Sequence, residues 1–404
     1  MTYELYQLLE VSPQASSDEI KRAYFRLVRQ YCPEKYPEEF KQIRTAYNTL
    51  YDSKARDNYD SLQQYGSQIK NLISQAEEKM NVEECLSAIS LLKQVLVLAP
   101  AADDARNLLG LCYIHTQNWD FAIKVYRSLT KNNPDVAVYW SNFGHVYKQQ
   151  AEFLEDKDAD TELYQNAREC FQRAIKLESF NSEPYLEIAR TYLDEKRYAE
   201  ALAWAELAIG ADGKVDAHDF DAMLFICRVY LFNGQLHKIE ETAQIIASLL
   251  PDYEARQYAA SRFANLGLEV ARVGAKLSDI YILRAALLFL NVARDFDKGD
   301  FDIKELYERV EEMIAALDQY ELLKQDSLIL YSCQRLAEFC LADYFSLHDS
   351  EEDRKTLLDD IMAEFFNVPA INIISSIMRI KSHYPAIYRL NKDLFDSIEQ
   401  TSRN

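Results

Sequence analysis

Residues 103–136 read DDARNLLGLCYIHTQNWDFAIKVYRSLTKNNPDV, and the spacing inside this stretch decides the fold. With Pro134 at position 32 of a 34-residue frame, Leu109, Gly110 and Tyr113 occupy positions 7, 8 and 11. Ala122 and Tyr126 then occupy positions 20 and 24, and Trp119 lies near the turn between two helices. Small residues at positions 8 and 20 let the two helices of a pair approach closely, while the large residues fill the space between pairs. The same pattern extends in both directions. The preceding frame holds Ala76, Ala88, Leu92 and Pro100 at equivalent positions. The following one holds Trp140, Phe143, Gly144 and Tyr147, then Ala167, Phe171 and Ala174. Here the spacing grows by eleven residues, QAEFLEDKDAD, which are expected to lengthen the helices or form an acidic protrusion. The pattern continues through Tyr185, Ile188, Ala189, Tyr192, Ala201, Ala205 and Ala208, then weakens through Met223, Ile226, Cys227, Tyr230, Ala243, Ile246 and Pro251. From about residue 254 to 404 amphipathic helical stretches persist without a clear frame, as divergent helical pairs or a helical cap.

This periodicity resembles the tetratricopeptide repeat, a helix pair that stacks into a superhelix with a concave protein-binding surface. Tyr113, Tyr147, Tyr192 and Tyr230 recur at one repeat position and read as packing residues, as do Trp119, Trp140 and Trp204. Arrays of this family that grip acidic chaperone tails resemble one another in a basic, asparagine-rich clamp on the first helices. Carried onto this chain, those positions fall on Asn107, Leu111, Asn142, Glu183 and Glu187. The resemblance therefore implies a candidate concave surface of Asn107, Asn142, Glu183 and Glu187. Two acids stand where lysine and arginine would be expected, which disfavours an acidic tail in this register. A register shifted toward the N-terminus stays open.

The first sixty residues follow a different plan. Tyr3 to Glu10 forms a short apolar helix pattern, Ser12 and Pro13 break it, and Ser16-Ser17-Asp18-Glu19 offers capping acceptors for the next helix. Ile20, Tyr24, Leu27, Val28 and Tyr31 make one apolar face, leaving Lys21, Arg22, Arg26 and Arg29 on other faces. Pro33 and Pro37 interrupt the pattern, and Phe40, Ile43, Ala46, Tyr47 and Leu50 form a third stripe. Two antiparallel helices joined by a tight proline loop are the simplest arrangement.

Residues 1–65, from YELYQLLEVSPQASSDEIKRAYFRL through EEFKQIRTAYNTL to KARDNYD with Arg56, Tyr59 and Asp60, resemble a J domain. Such modules engage the ATPase part of seventy-kilodalton heat-shock chaperones and use a His-Pro-Asp loop to stimulate ATP hydrolysis. Here that loop reads Cys32-Pro33-Glu34. A thiol cannot reproduce the hydrogen bonding of an imidazole, and Glu34 carries its charge on a longer stem. The loop before the third helix is also short, with only Lys35, Tyr36 and Pro37 between Glu34 and Glu38. The resemblance implies weak or absent stimulation, with Lys21, Arg22, Arg26 and Arg29 as a chaperone-binding face or simply a solvated one. A lone Cys32 without a resolving partner nearby is weak evidence for redox chemistry.

Composition bounds the rest. A hydrophobic share of 49% over 404 residues can bury a substantial core in more than one structural unit. A net charge of -20 argues against nucleic acid as a general partner. Seven scattered cysteines suit reduced cytosolic thiols better than a disulfide framework or a zinc site. The apolar run Ile280 to Val292 contains Arg284 and is too short to span a bilayer, so it reads as a buried helix. No basic segment followed by an apolar run opens the sequence. The six histidines do not cluster, and no phosphate-cradling glycine loop occurs.

The expected fold is all-α, an N-terminal J-like helical domain followed by a tetratricopeptide-like right-handed α-solenoid. Its expected parts are 1–65, 66–253 and 254–404, the last divergent repeats or a cap. The expected function is a noncatalytic cytoplasmic adaptor or scaffold without catalytic residues, metal or cofactor. Its expected partners are a protein or peptide and a seventy-kilodalton chaperone, with no nucleic acid and no membrane insertion. The alternatives are an active co-chaperone that recruits such a chaperone to clients held by the repeats, and a composite enzyme site assembled by folding.

Overall fold

A computed structural model describes residues 4–154, 157–347 and 350–403, with no side-chain description at 157–160 and 367. Among these every regular element is a helix. Two compact units divide the chain, residues 1–214 and 215–404.

The first unit opens with α1 (Glu4–Leu8), α2 (Ser17–Gln30), α3 (Pro37–Tyr51) and α4 (Ser53–Asn81). Tyr3, expected to begin the first helix, lies outside the described residues. Ser16 caps α2 reciprocally: its hydroxyl accepts from the Glu19 N–H at 3.3 Å, and the Glu19 carboxylate accepts from the Ser16 N–H at 2.8 Å. Ile20 and Leu27 of α2 and Ile43, Ala46 and Leu50 of α3 form one core with Tyr6 and Leu9. Tyr24 and Tyr47 stack across the two helices at 4.1 Å. Antiparallel pairing of α2 and α3 follows from these facing stripes.

The start of α4 closes this bundle. Arg56 Nε donates to the Tyr6 hydroxyl at 2.8 Å, the Tyr6 hydroxyl donates to Asp60 at 2.9 Å, and Arg56 Nη2 donates to the Pro13 carbonyl at 2.9 Å. Tyr59 stands beside them, its hydroxyl accepting from the Leu5 N–H at 3.2 Å. The helix then continues unbroken, so residues 65 and 66 lie inside one continuous element. In its second half Tyr65, Ile69, Leu72, Ile73, Ala76 and Met80 recur at helical spacing and pack into the core of the following helices. One helix therefore serves both the N-terminal bundle and the first repeat. Lys54 adds an ion pair at 2.6 Å to Asp103, at the start of α6 (Asp103–His115).

The repeats are helix pairs. The C-terminal half of α4 pairs with α5 (Cys85–Leu98), α6 with α7 (Trp119–Asn132), α8 (Ala137–Phe153) with α9 (Lys157–Leu177), and α10 (Glu183–Asp194) with α11 (Tyr198–Ala208). The small residues of the frame are where the helices meet. A Cβ built on Gly110 would stand 2.7 Å from the Tyr126 ring, and one on Gly144 would stand 2.6 Å from the Phe171 ring. Ala88, Ala122, Ala167 and Ala201 are fully buried. The eleven added residues lengthen α8 and α9, which have 17 and 21 residues against 13 and 14 for α6 and α7. Residues 155 and 156, in the middle of the expected acidic protrusion, lie outside the described residues.

The second unit contains α12 (Phe220–Phe232), α13 (His237–Leu249), α14 (Tyr253–Leu277), α15 (Ile280–Phe296), α16 (Phe301–Lys324), α17 (Tyr331–Tyr344), α18 (Glu351–Glu364), α19 (Ala370–His383), α20 (Pro385–Leu390) and α21 (Lys392–Arg403). The apolar run of α15 is buried through Leu283, Ala286, Phe289, Leu290 and Ala293. Two glycines of α14 admit it: a Cβ on Gly267 or on Gly274 would stand 2.9 Å from Leu290 or Leu283. At the other end of the unit Asp326 accepts from Arg379 Nε at 2.6 Å and from the Tyr384 hydroxyl at 2.9 Å. Among the described residues no helix is long and apolar enough to cross a membrane.

Candidate functional site

Between α2 and α3 the chain reverses in one tight turn. The Cys32 carbonyl accepts from the Lys35 N–H at 3.1 Å and from the Tyr36 N–H at 2.9 Å, folding Pro33 and Glu34 over it. Pro37 opens α3, where its missing N–H costs nothing. The Tyr31 and Tyr36 rings meet edge to face at 5.6 Å across the base of the turn. Pro33 and Glu34 are exposed and Cys32 is half-buried. The two hydrogen bonds fix where the Cys32 and Glu34 side chains emerge.

Lys21, Arg22, Arg26 and Arg29 are all exposed on α2. Arg26 pairs with Glu10 at 2.7 Å, and Arg22 Nε donates to the Asp18 carbonyl at 3.3 Å. Lys21 and Arg29 have no ion pair among the described residues. Phe25, 51% exposed, lies one helical turn from each of them. The helix thus shows a basic stripe around an aromatic ring, and Arg29 brings it within a turn of the Cys32-Pro33-Glu34 loop.

In the repeats, the first helices of successive pairs lie side by side. Asn142 Nδ2 of α8 donates to Asn107 Oδ1 of α6 at 2.9 Å, and the Tyr126 hydroxyl donates to the Asn107 carbonyl at 3.2 Å. Two side chains expected to present amides are therefore joined to each other. Glu187 on α10 is buried and held by cations: Lys148 Nζ of α8 stands 3.4 Å from its Oε2, and Arg190 pairs with its Oε1. Burial alone would raise the Glu187 carboxyl, but Lys148 and Arg190 outweigh it and hold the group below the usual carboxylate range. Burial keeps His145, 3.8 Å from the same carboxylate, below its usual value and so neutral. Glu183 is exposed and shares Arg190 at 3.1 Å, while Lys148 also pairs with Glu152 at 2.8 Å.

The two acids of the expected surface are thus different groups. Glu187 is an internal, compensated charge, and Glu183 is the accessible one. Sequence reasoning missed Lys148, Arg190 and His145. The Glu187 to Arg190 spacing is an i,i+3 signal that was available; the Lys148 contact comes from the neighbouring pair and was not. All seven cysteines are free. Among the described residues no group of three His, Cys, Asp or Glu side chains is placed to hold a metal ion.

Comparison with known proteins follows the same division. Residues 4–60 match the DnaJ domain. Residues 86–141 and 159–216 match two tetratricopeptide repeat models. The chaperone protein DnaJ of Thermosynechococcus vestitus is 45% identical over 71 residues, which is 16% of this chain and 19% of that protein. The human DnaJ homolog subfamily B member 3 is 40% identical over 72 residues, 16% of this chain and 50% of that protein. The chain thus spans half or less of the length of these curated relatives. A thermophilic TPR protein of Thermus thermophilus is 15% identical with a TM-score of 0.38, covering 48% of this chain and 98% of its own. The DnaJ domain is accordingly the bundle of α1 to α3 with the start of α4, and its Arg56, Tyr59 and Asp60 are the residues that fasten α4 to α1.

Proposed function

We propose that this chain is a noncatalytic protein-binding adaptor whose DnaJ domain stimulates a seventy-kilodalton heat-shock chaperone weakly or not at all. The observation that carries this reading is the pair Cys32 and Glu34 in a loop whose backbone is fixed by two hydrogen bonds to the Cys32 carbonyl. An imidazole offers a donor and an acceptor nitrogen at the edge of a ring, whereas a thiol is a small, weak donor. The extra methylene of Glu34 displaces its carboxylate by about one bond length, roughly 1.5 Å. Displacements of that order at a positioned group are enough to cost about 100-fold in rate. The core behind the loop is complete, so the scaffold can remain while the stimulation is lost.

In this reading the DnaJ domain still docks on an acidic surface through Lys21, Arg22 and Arg29, with Phe25 as an apolar contact at the centre of the stripe. The tetratricopeptide pairs hold a protein or peptide on the row of first helices, where Asn107, Asn142 and Glu183 stand. The working division is residues 1–65, 66–253 and 254–404, acting together as a cytoplasmic scaffold. An active co-chaperone that tolerates both changes is the competing reading. A steady-state ATPase measurement with a seventy-kilodalton chaperone and the full chain separates them: the scaffold leaves the basal rate unchanged, and a several-fold acceleration rejects it.

A further inference from the structure

We propose that a cavity of the second unit, bounded by α14, α16 and the end of α17, binds an acidic peptide segment carrying a bulky apolar side chain. The cavity has a volume of about 690 Å³, within the range of ligand pockets. Arg272 and Lys276 line it from α14, Arg309 and Met313 from α16, and Tyr344 from α17, with Leu268 on the apolar side. None of its lining residues is acidic.

The chain carries a net charge of -20, and several cations of this unit meet carboxylates: Arg262 with Asp221, Arg284 with Asp318, Arg335 with Glu364, Arg379 with Asp326, Lys381 with Glu399. Arg272, Lys276 and Arg309 have no ion pair among the described residues. Arg272 and Lys276 are one helical turn apart on the same helix, a like-charge spacing that disfavours the helix. Arg309 and Tyr344 line the same cavity wall, and the Tyr344 phenol is held above its usual pKa by burial first and by the Glu312 charge next, with Arg309 opposing both. Three cations converging on an apolar hollow are complementary to carboxylates flanking an apolar side chain.

The charge of the whole chain selects among anions. A nucleic acid or an anionic bilayer would meet an acidic body over its full extent and be repelled. A short peptide meets only the local field of the cavity. This inference stands apart from the DnaJ reading, because no residue of the first unit enters it.

The test is a peptide array probed with the full chain. Its hexapeptides combine Glu or Asp with one Leu or Phe, each beside a control in which Gln or Asn replaces the acids. Acidic peptides with an apolar residue are expected to bind and their amide controls to bind at least about tenfold more weakly, the size of a lost charge-assisted contact. Arg272→Glu with Lys276→Glu should remove the binding, and Lys276→Arg should keep it. Unchanged circular dichroism and thermal midpoints will show that the variants fold, and Arg309→Gln provides a second loss without charge reversal. Equal binding of the amide controls, or full binding by folded charge-reversed variants, overturns the proposal. So does retention by phosphatidylserine vesicles with no peptide retained. The double substitution Cys32→His, Glu34→Asp should leave peptide binding unchanged.

Discussion

The phenol of Tyr6 lies between Arg56 and Asp60, accepting from one and donating to the other, with 1% of its surface exposed. Burial raises its pKa to about 12, with Asp60 adding to that and Arg56 opposing it, so the hydroxyl keeps its proton. Removing that hydroxyl leaves two partly buried polar groups without their partner. Tyr6→Phe should therefore destabilise the first unit by about 1–3 kcal/mol, read from the midpoint of urea denaturation.

His145 and Glu187 give the repeats a pH dependence of known sign. His145 is held below its usual 6.5, so its contribution to stability is full above 6.5 and declines as pH falls below that value. Glu187 is held below its usual 4.5, so its contribution is full above 4.5 and is lost as pH falls through the lowered value. Stability should thus fall steadily on acidification from neutrality. His145→Gln should flatten the part of the curve between 6.5 and 4.5 while leaving the acid limb in place. A wild-type profile flat across that window would contradict this account of the buried cluster.

At the scale of the elements, glycine has opposite meanings in two helices of the first unit. Gly110 faces the Tyr126 ring at 2.7 Å from any added Cβ, so Gly110→Ala should cost about 1–3 kcal/mol by overpacking even though alanine favours the helix. Gly66, in the middle of α4, has nothing within 4 Å of an added Cβ. Gly66→Ala should instead stabilise by up to about 1 kcal/mol through helix propensity. Paired urea titrations of the two variants check both signs at once.

The repeats were legible because Gly110, Ala122, Tyr126 and their equivalents each do one packing job at a fixed spacing. The continuity of α4 was less legible. The J-like resemblance ends near residue 65, but Tyr65, Ile69 and Ala76 carry the helical stripe straight on. Beyond residue 253 the frame fades for a physical reason. Helices α14 and α16 have 25 and 24 residues, so the period lengthens, yet Gly267 and Gly274 still meet Leu290 and Leu283 by the same close approach.

For the whole molecule, a DnaJ-like bundle shares one helix with a repeat array, and the Cys32-Pro33-Glu34 loop sits at the far end of α2 from its Ser16 cap. The expectation for the loop rests on three residues, Cys32, Pro33 and Glu34. The compensation of Glu187 was not readable from the sequence, because Lys148 reaches it from another helix pair. The proposed adaptor role requires the N-terminal module to dock without accelerating hydrolysis, and the proposal puts the difference in the side chains of Cys32 and Glu34 alone. The deciding measurement is single-turnover ATP hydrolysis by a seventy-kilodalton chaperone with the full chain, wild type against the Cys32→His, Glu34→Asp double substitution. The expected result is a basal rate with wild type and a clear acceleration with the double substitution. Acceleration by wild type equal to that of the double substitution would contradict the account and make the chain a working co-chaperone.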